Sequence, residues 1–188
     1  MYIALNFGLG WQGKQTIVDK EIEYDNGGVL QEVTTTTDFD ERMQIAVSGE
    51  FAGATVGYVF SGGDVGTKEA ESHVVSASFG NYGKGLYVAL VYGDNENFYS
   101  AFNQDLEDSK QYEAIAAFGL DNGVNVILNY EAVEDDELNK TLFSETALQV
   151  EYTVTSGLVA FAGYQFDLGD DFGTKENDQY TVGARYFF

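Results

Sequence analysis

The stretch from Asp178 to Phe188 alternates without a break. Tyr180, Val182, Ala184, Tyr186 and Phe188 share one face, and Thr181, Gly183, Arg185 and Phe187 share the other. A chain terminus in water is ordinarily polar and frayed. An apolar, aromatic face opposite a partly polar one is the pattern of a strand held between lipid and a wet interior. The core strand of a water-soluble sandwich reads the same way, so this strand alone leaves both architectures open.

The same alternation returns along the chain. Ile3 to Gln12 sets Ile3, Leu5, Phe7, Leu9 and Trp11 against Ala4, Asn6, Gly8, Gly10 and Gln12. Arg42 to Phe51 turns Met43, Ile45, Val47, Gly49 and Phe51 outward and Arg42, Gln44, Ala46, Ser48 and Glu50 inward. Further strands are expected over residues 54–60, 73–80, 86–92, 112–120, 124–131, 146–153 and 158–167. Their inward positions include Glu113, Asn129, Glu131, Gln149, Glu151, Gln165 and Asp167, followed by Arg185 in the last strand. The sum is about ten strands, each near the length that a tilted membrane-spanning strand needs. Residues 16–40 are polar on both faces and flank Asp25-Asn26-Gly27-Gly28, a strong hairpin signal because Asn and Gly tolerate positive φ. They predict a ribbon projecting on the external side.

The expected links sort by side. Those at 52–53, 81–85, 121–123 and 156–157 are short; those at 61–71, 93–110, 133–141 and 168–177 are longer and mostly polar or acidic. Short periplasmic turns opposite long external loops are the outer-membrane arrangement, and a sandwich has no reason to sort its loops. The expected fold is therefore all-β, an antiparallel up-and-down transmembrane barrel in one domain over residues 1–188. The chain is then either a small barrel closed on itself or a piece of a larger one, and an even strand number and an alternating first strand favour closure of the sheet on itself. Outward Tyr58, Tyr92, Tyr130, Tyr152, Tyr164, Tyr186 and Phe188 fall near strand ends, where aromatic girdles sit.

Charge and composition narrow the function classes. A formal charge of −22, with nine Lys and Arg, excludes a phosphate-binding face for nucleic acid. The chain has no Cys, which removes disulfides and thiolate chemistry. It has no apolar run long enough for a membrane helix. Met1-Tyr2-Ile3-Ala4 is no secretory signal, so an exported protein would be represented here by its mature chain. His73 is the only histidine; parity turns it toward lipid near the external rim, with Ser72 beside it and no acidic partner expected. No nucleophile-and-base pair is legible, so no enzyme and no cofactor are expected. The acidic runs Glu134-Asp135-Asp136-Glu137 and Asp167 to Asp171 suit divalent cations but lack an EF-hand's spacing; solvated charge facing anionic lipopolysaccharide through bridging ions is the simpler reading.

The terminal Arg185-Tyr186-Phe187-Phe188, the run Tyr164-Gln165-Phe166-Asp167-Leu168 and the run Phe51-Ala52-Gly53-Ala54-Thr55-Val56-Gly57-Tyr58 resemble Gram-negative general porins, most nearly those of Vibrio type. The likeness covers residues 41 to 188 and corresponds to the C-terminal part of such a porin. It implies passive diffusion of small hydrophilic solutes and ions. It also implies that Ala184, Tyr186 and Phe188 form the signal read by the barrel-assembly machinery, in outer-membrane lipid and lipopolysaccharide. Family members have sixteen strands, form trimers and fold one loop inward; with fewer strands here, trimerisation and that constriction are not carried over. On this reading Arg42, Gln44, Glu50, Glu113, Asn129, Glu131, Gln149, Glu151, Gln165, Asp167 and Arg185 line a passage whose excess of acids favours cations. In the alternative, the acids pair with Arg42 and Arg185 and plug the lumen, and the barrel is a surface structure, adhesin or phage receptor. Ten-stranded outer-membrane proteases are similar in strand number only.

Overall fold

The structure, a computed structural model, describes residues 4–24, 30–65, 68–98, 100–101, 104–173 and 177–188. Ile3 and the expected Asn-Gly turn at Asp25 to Gly28 lie outside the described residues. The strands in chain order are β1 (Ala4–Gln12), β2 (Gln15–Tyr24), β3 (Leu30–Phe39), β4 (Arg42–Phe51), β5 (Ala54–Val65), β6 (Lys68–Asn81) and β7 (Lys84–Glu96). After these come β8 (Ser100–Ala101), β9 (Gln104–Asp105), β10 (Asp108–Gly119), β11 (Val124–Asp135), β12 (Lys140–Thr155), β13 (Leu158–Asp167) and β14 (Gln179–Tyr186). Ten of them form one antiparallel sheet in the order β1-β4-β5-β6-β7-β10-β11-β12-β13-β14. β2 pairs with β3, and β8 with β9, as separate two-stranded ladders.

The register preserves face identity from strand to strand. Leu9 stands across from Ile45, Ile45 from Phe60, and Phe60 from His73, all on one face. Asn6, Ser48, Gly57 and Ser76 make a matching row on the other. The apolar face is the exposed one: Leu9 is 84% exposed, Val182 76% and Leu90 61%. Fully buried apolar side chains among the described residues are few, and Ala117, Ile127 and Val133 belong to the polar, inner face. In water such an exposed apolar area would drive association; in a bilayer it is the lipid contact.

The lipid boundary is visible in the cross-strand rows. Tyr58, Val75, Tyr92, Tyr112 and Ala132 lie side by side over β5, β6, β7, β10 and β11, with the Tyr92 and Tyr112 rings 5.5 Å apart. The next outward row is Phe60, His73, Asp94, Lys110 and Glu134. Charge on the apolar face thus begins one outward position beyond the tyrosines, as expected where ring hydroxyls meet headgroups.

Three expected loops are largely strand. Residues 61–71 extend β5 and β6 as far as Val65 and Lys68; residues 93–110 extend β7 to Glu96 and start β10 at Asp108; residues 133–141 extend β11 to Asp135 and start β12 at Lys140. The physical reason is that backbone pairing continues past the membrane while the lipid-imposed alternation stops at its edge. Paired strands with water on both faces then carry the composition of a loop.

The expected closure of the sheet is not formed. β1 pairs with β4 and β14 with β13, and the outer edges of β1 and β14 face no strand among the described residues. Parity makes those edges compatible, but the curvature that brings edges together depends on strand stagger summed over the whole sheet. Within a bilayer an open edge leaves N–H and C=O groups without partners, so both edges require pairing there.

Candidate functional site

The inner face is the one that alternates with the lipid belt, and the register sets the residues that the sequence turns inward on that one face of the sheet. Arg42, Gln44 and Glu50 of β4 lie opposite Gly63, Ser61 and Thr55 of β5; Gln44 Nε2 donates to Ser61 Oγ at 3.0 Å. Asn129 lies between Ile115 and Ala147. A recess of about 230 Å³ opens here, bounded in part by Glu113, Ile115, Asn129 and Glu131.

The register brings together what the sequence left apart. Glu113 stands opposite Glu131, Glu131 opposite Glu145, and Glu145 opposite Asp167. Four carboxylates thus form one row across β10, β11, β12 and β13. Like charges directly opposite one another are unfavourable. Amides soften the row at two places: the Gln111 side chain donates to Glu113 and the Gln165 side chain to Glu145. Glu145 was absent from the residues picked out by sequence, although it sits at an inward position one step before Thr146; its significance depends on register.

A second cluster occupies the short-turn end. Glu151 is buried, 7% exposed. Arg185 Nη2 lies 3.2 Å from Glu151 Oε1, Gln149 Nε2 donates to the same oxygen at 3.0 Å, and the Arg185 guanidinium sits 4.9 Å over the Phe161 ring. Tyr82, from the turn between β6 and β7, donates its hydroxyl to Glu151 Oε2 at 2.9 Å. The Tyr82 hydroxyl is pushed up to about 12, first because burial disfavours the phenolate and then because Glu151 accepts a hydrogen bond from the phenol and repels the anion. A raised value means that the bond's contribution is complete below pH about 10 and is lost as pH rises through about 12. The difference in 295 nm titration between the parent chain and Tyr82→Phe should therefore show one tyrosine ionising near pH 12; a difference centred near the ordinary pH of about 10 would refute the bond.

At the other end, Leu106, in the connection between β9 and β10, is buried against Val133 and Leu142. That connection is also tied down by Asn97 N donating to Glu107 O at 2.8 Å and by Lys68 Nζ at 3.3 Å from Glu107. His73 does have an acidic neighbour, contrary to expectation: Glu71 Oε2 lies 3.7 Å from its Nε2, while Tyr58 Oη lies 2.8 Å from its Nδ1. Glu71 falls within the loop expected over residues 61–71, whereas β6 already starts at Lys68 and puts residues 71 and 73 on one face. The His73 ring also packs 5.1 Å from Phe60, as a side chain in an aromatic belt does. In the last strand Ala184 and Tyr186 lie on the outer face opposite Ala160 and Leu158, and Tyr186 stacks on Phe188 at 6.5 Å.

No protein-family model matches the sequence, and no curated protein matches it either. Among solved structures the chain is similar to OmpF of Salmonella typhi, a general porin, in its complex with daunomycin. The TM-score is 0.70 at 19% identity, over 97% of this chain and 56% of that one. The chain spans little more than half the length of the porin it matches. A likeness at that identity carries fold and not activity, and together with the exposed apolar belt and the row-by-row register it identifies the architecture: an all-β, antiparallel sheet of the transmembrane β-barrel kind.

Proposed function

We propose that the chain builds the wall of a porin-like channel of Vibrio type in the bacterial outer membrane, passing small hydrophilic solutes and ions by passive diffusion. The observation that carries this reading is the division of one sheet into an aromatic-bordered lipid face and a face of small, polar and acidic residues. A wet face in a low-dielectric wall lowers the desolvation barrier for a solute. The row Glu113, Glu131, Glu145 and Asp167 supports cation preference, since Arg185 is committed to Glu151 at the far end. Ala184, Tyr186 and Phe188 suit recognition by the assembly machinery, and the acidic external residues suit divalent cations bridging to lipopolysaccharide. The test is unitary conductance in a planar bilayer under a salt gradient. Discrete steps with a cation-selective reversal potential are expected; silence from folded protein would sink the channel.

A second reading, a non-conducting barrel acting as surface structure, adhesin or phage receptor, is favoured by the two segments that lean on the inner face, at Leu106 and at Tyr82. Swelling of liposomes in a small sugar separates the two, since a plugged barrel gives none. No catalytic role is assigned to His73. His73→Ala should leave unitary conductance unchanged, and neither form should hydrolyse a fluorogenic peptide; hydrolysis lost on substitution would reinstate a rim-site enzyme.

A further inference from the structure

From the inward turn between β6 and β7 we infer a constriction at the short-turn mouth, with Tyr82 as the residue that sets the size limit of the passage. This rests on the channel reading above. Short turns of a barrel ordinarily stand clear of the lumen. This one is bent over the inner face. The ladder between β6 and β7 shifts register between Gly80 and Asn81, a bulge that re-aims the turn residues beyond it. Gly80 sits at φ +89°, where a side chain would be strained and where a Cβ would strike the Leu86 carbonyl oxygen at 2.1 Å.

The neighbouring strand is shaped to receive the turn. Gly119 of β10 lies directly beneath it: a Cβ there would fall 2.2 Å from the Gly83 carbonyl carbon and 2.6 Å from the Lys84 nitrogen. Gly119 also stands opposite Gly85 and Asn125 on its two flanking strands, so the floor under the turn is made from the smallest possible residue. From this bed the Tyr82 side chain reaches Glu151 of β12, crossing the inner faces of β7, β10 and β11. It packs edge-on to Tyr87 at 5.7 Å. Glu151 is held in place by Arg185 and Gln149. These two are positioning residues; Tyr82 is the side chain that lies across the inner face at this end.

Glu151 is neutralised by Arg185, and the Tyr82 phenol stays protonated at any physiological pH. The constriction therefore discriminates by size and not by charge, whereas the acid row further along the inner face selects by sign. Two properties of one passage are thereby assigned to different residues.

Unitary conductance in a planar bilayer, with swelling of liposomes in sugars of increasing size, tests the proposal. Tyr82→Ala should raise conductance about twofold and admit larger sugars, because flow is governed by the narrowest point. Gly119→Ala, which leaves Tyr82 intact but lifts the turn from its bed, should shift both in the same direction. Reversal potential should not change in either variant. Conducting wild type with unaltered conductance and sugar cut-off in Tyr82→Ala overturns the constriction and leaves the channel standing. A wild type without steps overturns the channel itself and the constriction with it.

Discussion

Leu90→Arg should destabilise the membrane-embedded protein by about 1–3 kcal/mol. A cation facing lipid costs about 2–4 kcal/mol at mid-membrane and less toward the interface, and Leu90 stands one outward position inside the tyrosine row. Leu90 lies on the outer face of β7 between Ala77 and Ala114, and it is 61% exposed. At an exposed position of a water-soluble sheet, the same change falls within about 0.5 kcal/mol. The substitution therefore distinguishes the two architectures by magnitude. Asn129→Arg is the internal control, because Asn129 is exposed on the inner face one residue from outward Leu128. Unfolding in urea from lipid vesicles, followed through Trp11, the only tryptophan, gives both numbers. Equal, small costs at the two positions would mean that the apolar face does not meet lipid.

Replacing Glu113, Glu131 and Glu145 together with glutamine should lower the cation-to-anion permeability ratio by roughly threefold or more, because a low-dielectric wall focuses the field of the charges along it. The three stand in adjacent register with Asp167 at the end of the row. Unitary conductance should change less than selectivity, since glutamine has nearly the volume of glutamate. The wild-type preference should itself weaken at high salt, as the screening length falls from about 10 Å at 0.1 M to about 3 Å at 1 M. Reversal potentials under a salt gradient check both statements. An unchanged reversal potential in the triple variant would remove the acid row from any role in selectivity.

Leu90 could be picked out from sequence because lipid imposes an apolar identity on every second residue of a spanning strand, and a period of two is readable within a few residues. The same local rule separated Arg42 from Met43, Asn129 from Leu128 and Arg185 from Tyr186, and the register keeps each pair on opposite faces. It failed where lipid ends. Strands beyond the headgroups have water on both sides, so the extensions of β5, β6, β11 and β12 read as loops.

The acid row and the Tyr82 cluster depend instead on long-range pairing. Glu131 and Glu145 become neighbours through the turn at Asp136–Asn139 and a register shift at Val133 and Glu134, and neither sets a pattern in the residues beside the carboxylates. Tyr82 meets Glu151 across a sequence separation of 69 because a bulge bends one turn and a glycine on another strand makes room for it. By itself, then, the sequence determined which residues face lipid and which face the interior, since that choice is made strand by strand against a uniform solvent. Which interior residues meet, how far the strands run past the membrane, and that β1 and β14 remain apart were decided by the tertiary structure, because register and curvature are sums over the whole sheet.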